Sequence, residues 1–287
     1  MKESKLSKVS GVFFTEIGSE HIPIVLFPGF ALYKEVLHFI TTRQGGYSEK
    51  PFHSFNLASH IGDKEEHVFN NRVLLAKSLG ISPEDFIFTQ QEHGSKVIVI
   101  EDSLKLERRK NLHNYIQVAD ALITDKEGLC LLIFVADCVP VLLYDFRKRA
   151  IGLVHAGWRG TVDLISQKTV RLMQSYYDCR VQDIICALGP SIGPCCYEVG
   201  EEVLEKVKAH FPGEEKVIRS FSHSSVKKKF FFDLWQANKI QLLECGVPEK
   251  NIEIANLCTF CHSDIFFSSR KEHQSTGRFA AGIMLRK

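Results

Sequence analysis

Three residues of the types used in metal or nucleophile chemistry stand where strongly apolar stretches break off. Cys138 lies in VADCVPVLLY, beside Asp137 and ahead of Pro140. A thiol there predicts a turn exposed at a sheet edge, and such sites collect function. Seventeen residues on, IGLVHAGWRG runs an apolar strand directly into His155 and a glycine-containing turn ahead of a helix. Upstream, QQEHGSKVIVI puts His93 just before another strand, again with glycine behind it. Two imidazoles and one thiolate from three separate loops are the donor set of a catalytic zinc that keeps its fourth position open for water. His and Cys suit copper as well.

The turn after His155 has a second use. Helix N-termini carry N–H groups with no internal partner, so a strand, turn and helix start together can hold an anion. Arg159 would add a fixed fork of donors suited to phosphate or ribose oxygens. Each residue also has an ordinary alternative: a strand-end histidine that only hydrogen-bonds, Trp158 as packing, Arg159 as a local cap.

Nine cysteines, with no secretory signal in the first twenty residues, predict reduced thiols in a cytoplasmic compartment. Cys130, Cys179, Cys186 and Cys245 sit inside apolar patterns and are expected in the core. Cys195 and Cys196 follow the rigid GPSIGP loop; adjacent cysteines cannot readily both ligate one zinc, and no second CxxC completes a four-cysteine set. The one CxxC, Cys258 with Cys261, precedes His262, but haem attachment of that spacing goes with export.

The elements that must position these residues are numerous short strands. β-branched and aromatic clusters predict strands at 22–27, 37–41, 96–100, 121–124, 129–135, 141–144, 150–154, 184–188, 230–232 and 279–284. Helical signals fall at 65–79, capped at Asp63 and stopped by Gly80, at 162–177 with Leu164, Ile165, Leu172, Met173 and Tyr176 on one face, at 201–209 and at 234–244. The linker-like pieces are 108–114 and 223–229, too short to divide the chain, so 1–287 reads as one α/β (α+β) domain with a mixed sheet.

Composition excludes more than it names. With 45% hydrophobic and 24% charged residues the chain can build a core. A net charge of +2 provides no field for nucleic acid or anionic lipid, so neither is expected as a partner. The most apolar stretch, 129–144, is too short to span a bilayer and reads as two buried strands joined by a polar turn.

In order along the chain stand TTRQGG, FNLASHIGD, NR at Asn71 and Arg72, QEHG, ADCVP, VHAGWRG, GPSIGPCCYEVG, CTFCHSDIFFSSR and TGR. This series resembles the YfiH/YlmD family, variously labelled multicopper polyphenol oxidase (laccase-like), peptidoglycan editing factor and purine nucleoside phosphorylase. The resemblance implies a four-layer α/β/β/α sandwich and carries the family's metal ligands onto His93, Cys138 and His155. It further implies adenosine and methylthioadenosine phosphorolysis and adenosine deamination (transferase and hydrolase chemistry), with a nucleoside and phosphate as the small-molecule partners. A zinc centre would activate water for attack at C6 of adenine.

For phosphorolysis, phosphate must approach C1′ of the ribose, and Arg43, Arg72, Arg159 and Arg270 are candidates to hold it, with Arg278 behind them. Asp137 is the nearest general base or orienting acid. Two departures occur: Glu92 where an aliphatic residue is usual, and Ser269 where the family has tyrosine. A cysteine amidase using Cys138 as nucleophile and His155 as base is the main rival. A laccase would need several copper centres, yet the chain has no HxH pair. A zinc that only holds loops together would need a fourth ligand such as His60.

Overall fold

β-branched and aromatic clusters without helical period form strands because their side chains pack on a pleated surface. In the computed structural model, which describes residues 11–101, 116–211, 213–223 and 226–287, the first strands are β1 (Phe13–Ile17), β2 (Ile22–Leu26), β3 (Val36–Thr41), β4 (Phe86–Phe88), β5 (Val97–Val99) and β6 (Ala121–Thr124). They continue as β7 (Cys130–Val135), β8 (Val139–Asp145), β9 (Ala150–Ala156), β10 (Ile184–Leu188) and β11 (Glu198–Val199). The last are β12 (Ile218–His223), β13 (Val226–Phe232), β14 (Ile252–Ile254) and β15 (Phe279–Leu285). The α-helices among the described residues are α1 (Pro28–Ala31), α2 (Glu65–Leu79), α3 (Trp158–Val162), α4 (Ile165–Tyr177), α5 (Glu201–His210) and α6 (Leu234–Glu244). Every predicted strand is present; β1, β4, β11, β12 and β14 were not foreseen.

Two six-stranded mixed sheets, ordered β1-β2-β3-β15-β7-β4 and β14-β10-β8-β9-β6-β5, lie face to face, with a small third sheet β11-β13-β12. Pairing is antiparallel except where β4, β5 and β14 add parallel edges. Between the sheets Leu131, Ile133 and Val135 of β7 meet Leu142, Tyr144 and Leu153. The alternate residues Cys130, Leu132 and Phe134 face Leu74, Leu75 and Ala76 of α2. On the far side Val141, Leu143 and Val154 pack against Val170 and Met173 of α4 and Ala237 and Leu242 of α6. The layers are therefore α/β/β/α, as expected. A strand covered on both faces reads as one continuous apolar run, and each fully buried Leu, Ile or Phe contributes about 1.5–3 kcal/mol.

The polar turn within 129–144 exists, but the strands it joins do not pair. β7 lies between β15 and β4, and β8 between β10 and β9, so Ala136, Asp137 and Cys138 carry the chain from one sheet to the other. Cys138 thus sits at the end of an interior strand and not at a sheet edge.

Other expectations need correction. α2 spans 65–79 as expected and ends at Gly80 with φ 71°, but its cap position is Lys64 and not Asp63, whose carboxylate is taken up by Ser48 and Asn56. The helix expected from 162 starts at Ile165, since Leu164 turns left-handed at φ 61°. Its buried face includes Ser166, Gln167 and Thr169, while Tyr176 is exposed. Ser166 donates to Asn238, and Gln241 donates to the Thr161 carbonyl, so polar groups are satisfied where an apolar stripe was expected. Of the supposed linker at 223–229, His223 belongs to β12 and 226–229 to β13, which pairs with it antiparallel, while 108–114 lies outside the described residues. Cys130, Cys179 and Cys186 are buried and Cys245 is half-buried. No helix among the described residues is long and apolar enough to cross a membrane.

Candidate active site

Strand register brings the first two candidate donors together. β8 and β9 pair with Pro140 opposite His155 and Val139 opposite Ala156, which leaves Cys138 facing Gly157. A Cβ built on Gly157 would lie 3.2 Å from the Cys138 sulfur and 2.9 Å from His93 Cδ2. Gly157 has an unremarkable φ of −70°, so space, not backbone freedom, requires glycine here.

His93 arrives from the loop between β4 and β5 with φ 59°. Two side chains fix that loop. Gln91 exchanges both amide hydrogen bonds with the Phe134 backbone, at 2.9 and 2.8 Å. Asp120 accepts the backbone N–H groups of His93 (2.9 Å) and Gly94 (2.8 Å). The same carboxylate, 1% exposed, stands 2.8 Å from Nδ1 of His155, so one acid orients both histidines and leaves Nε2 of His155 free to face Cys138. Asp120 was missed in the sequence; its only signal is an acid just ahead of the apolar run Ala121–Ile123.

The donor atoms of His93, Cys138 and His155 all lie within 4.8 Å of one another, and the two imidazole rings meet edge to face at 4.8 Å. Burial alone would push the Cys138 thiol up, but the charge of His155 and hydrogen bonds from both imidazoles bring it down to about 6. Burial would likewise lower His155, yet Cys138 and Asp120 raise it to about 9. A thiolate–imidazolium pair at neutral pH follows, a site prepared to exchange its proton for a soft cation. His60 does not join this three-donor cluster; burial, then the cations Arg278 and Arg72, lower its pKa.

The cluster opens on a cavity of about 550 Å³, a volume typical of small-molecule sites. Arg159, Arg270, Trp158, Tyr197 and Ser269 line it with Asp137 and Cys138. Arg159 stacks on Trp158 at 4.3 Å and Arg270 on Tyr197 at 5.1 Å. Asp137, strained at φ 94°, accepts from the Thr259 hydroxyl at 2.6 Å and from the Arg270 N–H at 2.7 Å. Arg278 is half-buried nearby, within the electrostatic reach of Cys138 and Asp137. Arg43 and Arg72 are not brought to this cavity. Arg43 donates to Glu272 and the Ser263 carbonyl over the Phe267 ring, and Arg72 donates to the Leu57 carbonyl between Phe88 and Phe134.

A second cluster contradicts what the cysteine spacing predicted. Cys195, Cys196, Cys258 and Cys261 bring four sulfurs within 4.8 Å of one another.

The two-sheet sandwich, with a metal-competent His-Cys-His cluster at the floor of a cavity, defines a YfiH-like enzyme. Residues 37–286 match the multi-copper polyphenol oxidoreductase laccase family, and the chain belongs to it. It is 38% identical over 259 residues, 89% of this chain and 93% of the relative, to a purine nucleoside phosphorylase of Bacteroides thetaiotaomicron. It is 34% identical to adenosine deaminase RL5 of an unknown prokaryotic organism, covering 85% of this chain and 92% of that one. The crystal structure of YlmD from Geobacillus stearothermophilus superposes with a TM-score of 0.85 at 33% identity, covering 95% of this chain and all of that one.

Proposed function

We propose that this enzyme is a zinc-dependent purine nucleoside phosphorylase that also deaminates adenosine and phosphorolyses methylthioadenosine. The observation that carries the reading is a nucleoside-sized cavity with a His-Cys-His donor set at its floor and two arginines on its wall. The names of its relatives point the same way. The continuous core between the sheets supports treating 1–287 as one catalytic domain, and nine free cysteines fit a cytoplasmic compartment.

The residues fit a metal: three soft or borderline donors converge, and Asp120 fixes the His155 tautomer from behind. His93, Cys138 and His155 would hold zinc, with copper the competing ion; when bound it supplies Lewis acidity for activating water or an oxygen of the substrate. The chain's own groups do the rest. Arg159 and Arg270 neutralise phosphate and the charge that develops as the purine leaves. Trp158 and Tyr197 flank the base and exclude water. Asp137, with both carboxylate oxygens engaged, is a positioning residue that anchors Arg270 and the Thr259 segment.

The test is chromatography of products after incubating zinc-loaded protein with adenosine or methylthioadenosine, with and without phosphate, beside Cys138→Ala. Free base only with phosphate, or inosine in either case, and neither from the variant, is expected. No product from either nucleoside overturns the reading.

The Cys138–His155–Asp120 relay also fits a nucleophile, its base and an orienting acid. This second reading, an amidase editing peptidoglycan precursors, predicts cysteine-dependent amide hydrolysis that survives chelation. Polyphenol oxidation has less support, because neither donor cluster among the described residues is the histidine-rich assembly that several coppers need.

A further inference from the structure

The four-sulfur cluster lies outside the His-Cys-His site and takes no part in the chemistry above. Its origin is topological. β10 and β14 are parallel neighbours, with Leu188 opposite Ile254, so the loops leaving them emerge side by side at the same end. Backbone pairing continues beyond the strands: Ser191 N–H donates to the Leu257 carbonyl at 3.2 Å, and Thr259 N–H to the Ser191 carbonyl at 3.0 Å. One loop then presents Cys195 and Cys196, the other Cys258 and Cys261.

The spacing matches a cation better than a disulfide. The Cys261 sulfur lies 3.8 Å from that of Cys195 and 3.5 Å from that of Cys196. Four thiolates about 2.3 Å from a tetrahedral zinc stand about 3.8 Å apart, whereas bonded sulfurs are about 2.0 Å apart. The Cys258 sulfur accepts the Gly193 N–H at 3.2 Å and a backbone hydrogen bond from Cys261. Such amide dipoles offset the negative charge of a tetrathiolate. Cys258 is buried while Cys195 and Cys261 are exposed, which gives a cation an entry path. Adjacency of Cys195 and Cys196 is no obstacle, because the turn that follows Gly193 aims both sulfurs at Cys261.

We propose that Cys195, Cys196, Cys258 and Cys261 bind one zinc ion in a closed four-sulfur site that braces the wall of the catalytic cavity. Four thiols lose four protons as four Zn–S bonds form, with no change of oxidation state. The braced segments matter. Ile192 N–H donates to the Asp137 carbonyl at 2.9 Å and the Thr259 hydroxyl holds the Asp137 carboxylate, while Tyr197 lines the cavity just beyond Cys196. The inference stands independently of which reaction the cavity performs.

The test uses the full chain with the three-donor cluster removed by His93→Ala and Cys138→Ala. Elemental mass spectrometry is expected to find one zinc per chain, and cobalt replacement to give the intense sulfur-to-metal charge transfer of a four-sulfur tetrahedral site. Adding Cys258→Ser and Cys261→Ser is expected to remove that last ion. If those serine variants fail to fold, cadmium-113 NMR of the folded two-alanine variant reads the four-sulfur environment directly. A folded two-alanine variant without metal, or peptide mapping that finds a disulfide between the loops, overturns the proposal.

Discussion

Two strand histidines, one in each sheet, are equally buried, yet one is neutral and the other charged. His38 of β3 is 4% exposed and His155 of β9 is 3% exposed. His38 packs against the rings of Phe27 and Phe30, and its Nε2 accepts the Phe27 N–H at 2.9 Å. With no anion beside it, burial drives its pKa down to about 4. His155 suffers the same desolvation, but Cys138 and Asp120 lift it to about 9. Burial is common to both; the partners decide. The first sheet keeps its histidine as a neutral acceptor inside a frame, and the second makes its histidine part of a reactive pair.

The harshest way to break this contrast is Gly157→Ala, which pushes a methyl group against His93 and Cys138. It is expected to leave the fold and the four-sulfur metal intact, to empty the three-donor cluster, and to lower kcat by at least about 10²-fold. Wild-type turnover with a full complement of metal would contradict the steric argument.

Asp120→Asn comes next, since it removes one of the two groups that raise His155, the other being Cys138, while keeping the shape. The expectation is a loss of about 10–100-fold in metal affinity, read by competition with a chelating dye, with near-unchanged thermal stability. Unaltered affinity would show that Asp120 orients nothing.

The last effect concerns the frame and is the smallest on turnover. His38 is neutral in the folded chain down to about pH 4, whereas an unfolded histidine takes up its proton near pH 6.5. Between those values the unfolded state binds more protons, so stability falls with falling pH, by about 3 kcal/mol at pH 4. His38→Gln, which can still accept the Phe27 N–H, is expected to abolish that part of the acid loss and to leave turnover at neutral pH unchanged. Parallel urea-denaturation curves for both proteins from pH 7 to pH 4 would exclude the account.

Much of this contrast was legible before any coordinates. His93, Cys138 and His155 announced themselves because a polar residue at the border of an apolar strand is a local signal, and local signals survive in one dimension. Strand positions were readable for the same reason, as were the stop at Gly80 and the buried Cys130 and Cys186. What escaped has the opposite character. β7 and β8 are separated by three residues yet belong to different sheets, and nothing between them states which neighbours each will choose. The buried faces of α4 and α6 hide Ser166 and Gln241 because their partners come from other helices. Asp120, the separation of Arg43 and Arg72 from Arg159 and Arg270, and the convergence of Cys195 and Cys196 with Cys258 and Cys261 all depend on pairing across long stretches of chain. The sequence by itself determined most element types and singled out the three residues that converge, since propensity and hydrophobic period are properties of short segments. Only the tertiary structure decided which polar groups meet, because strand pairing and sheet packing are set by the burial of the whole core.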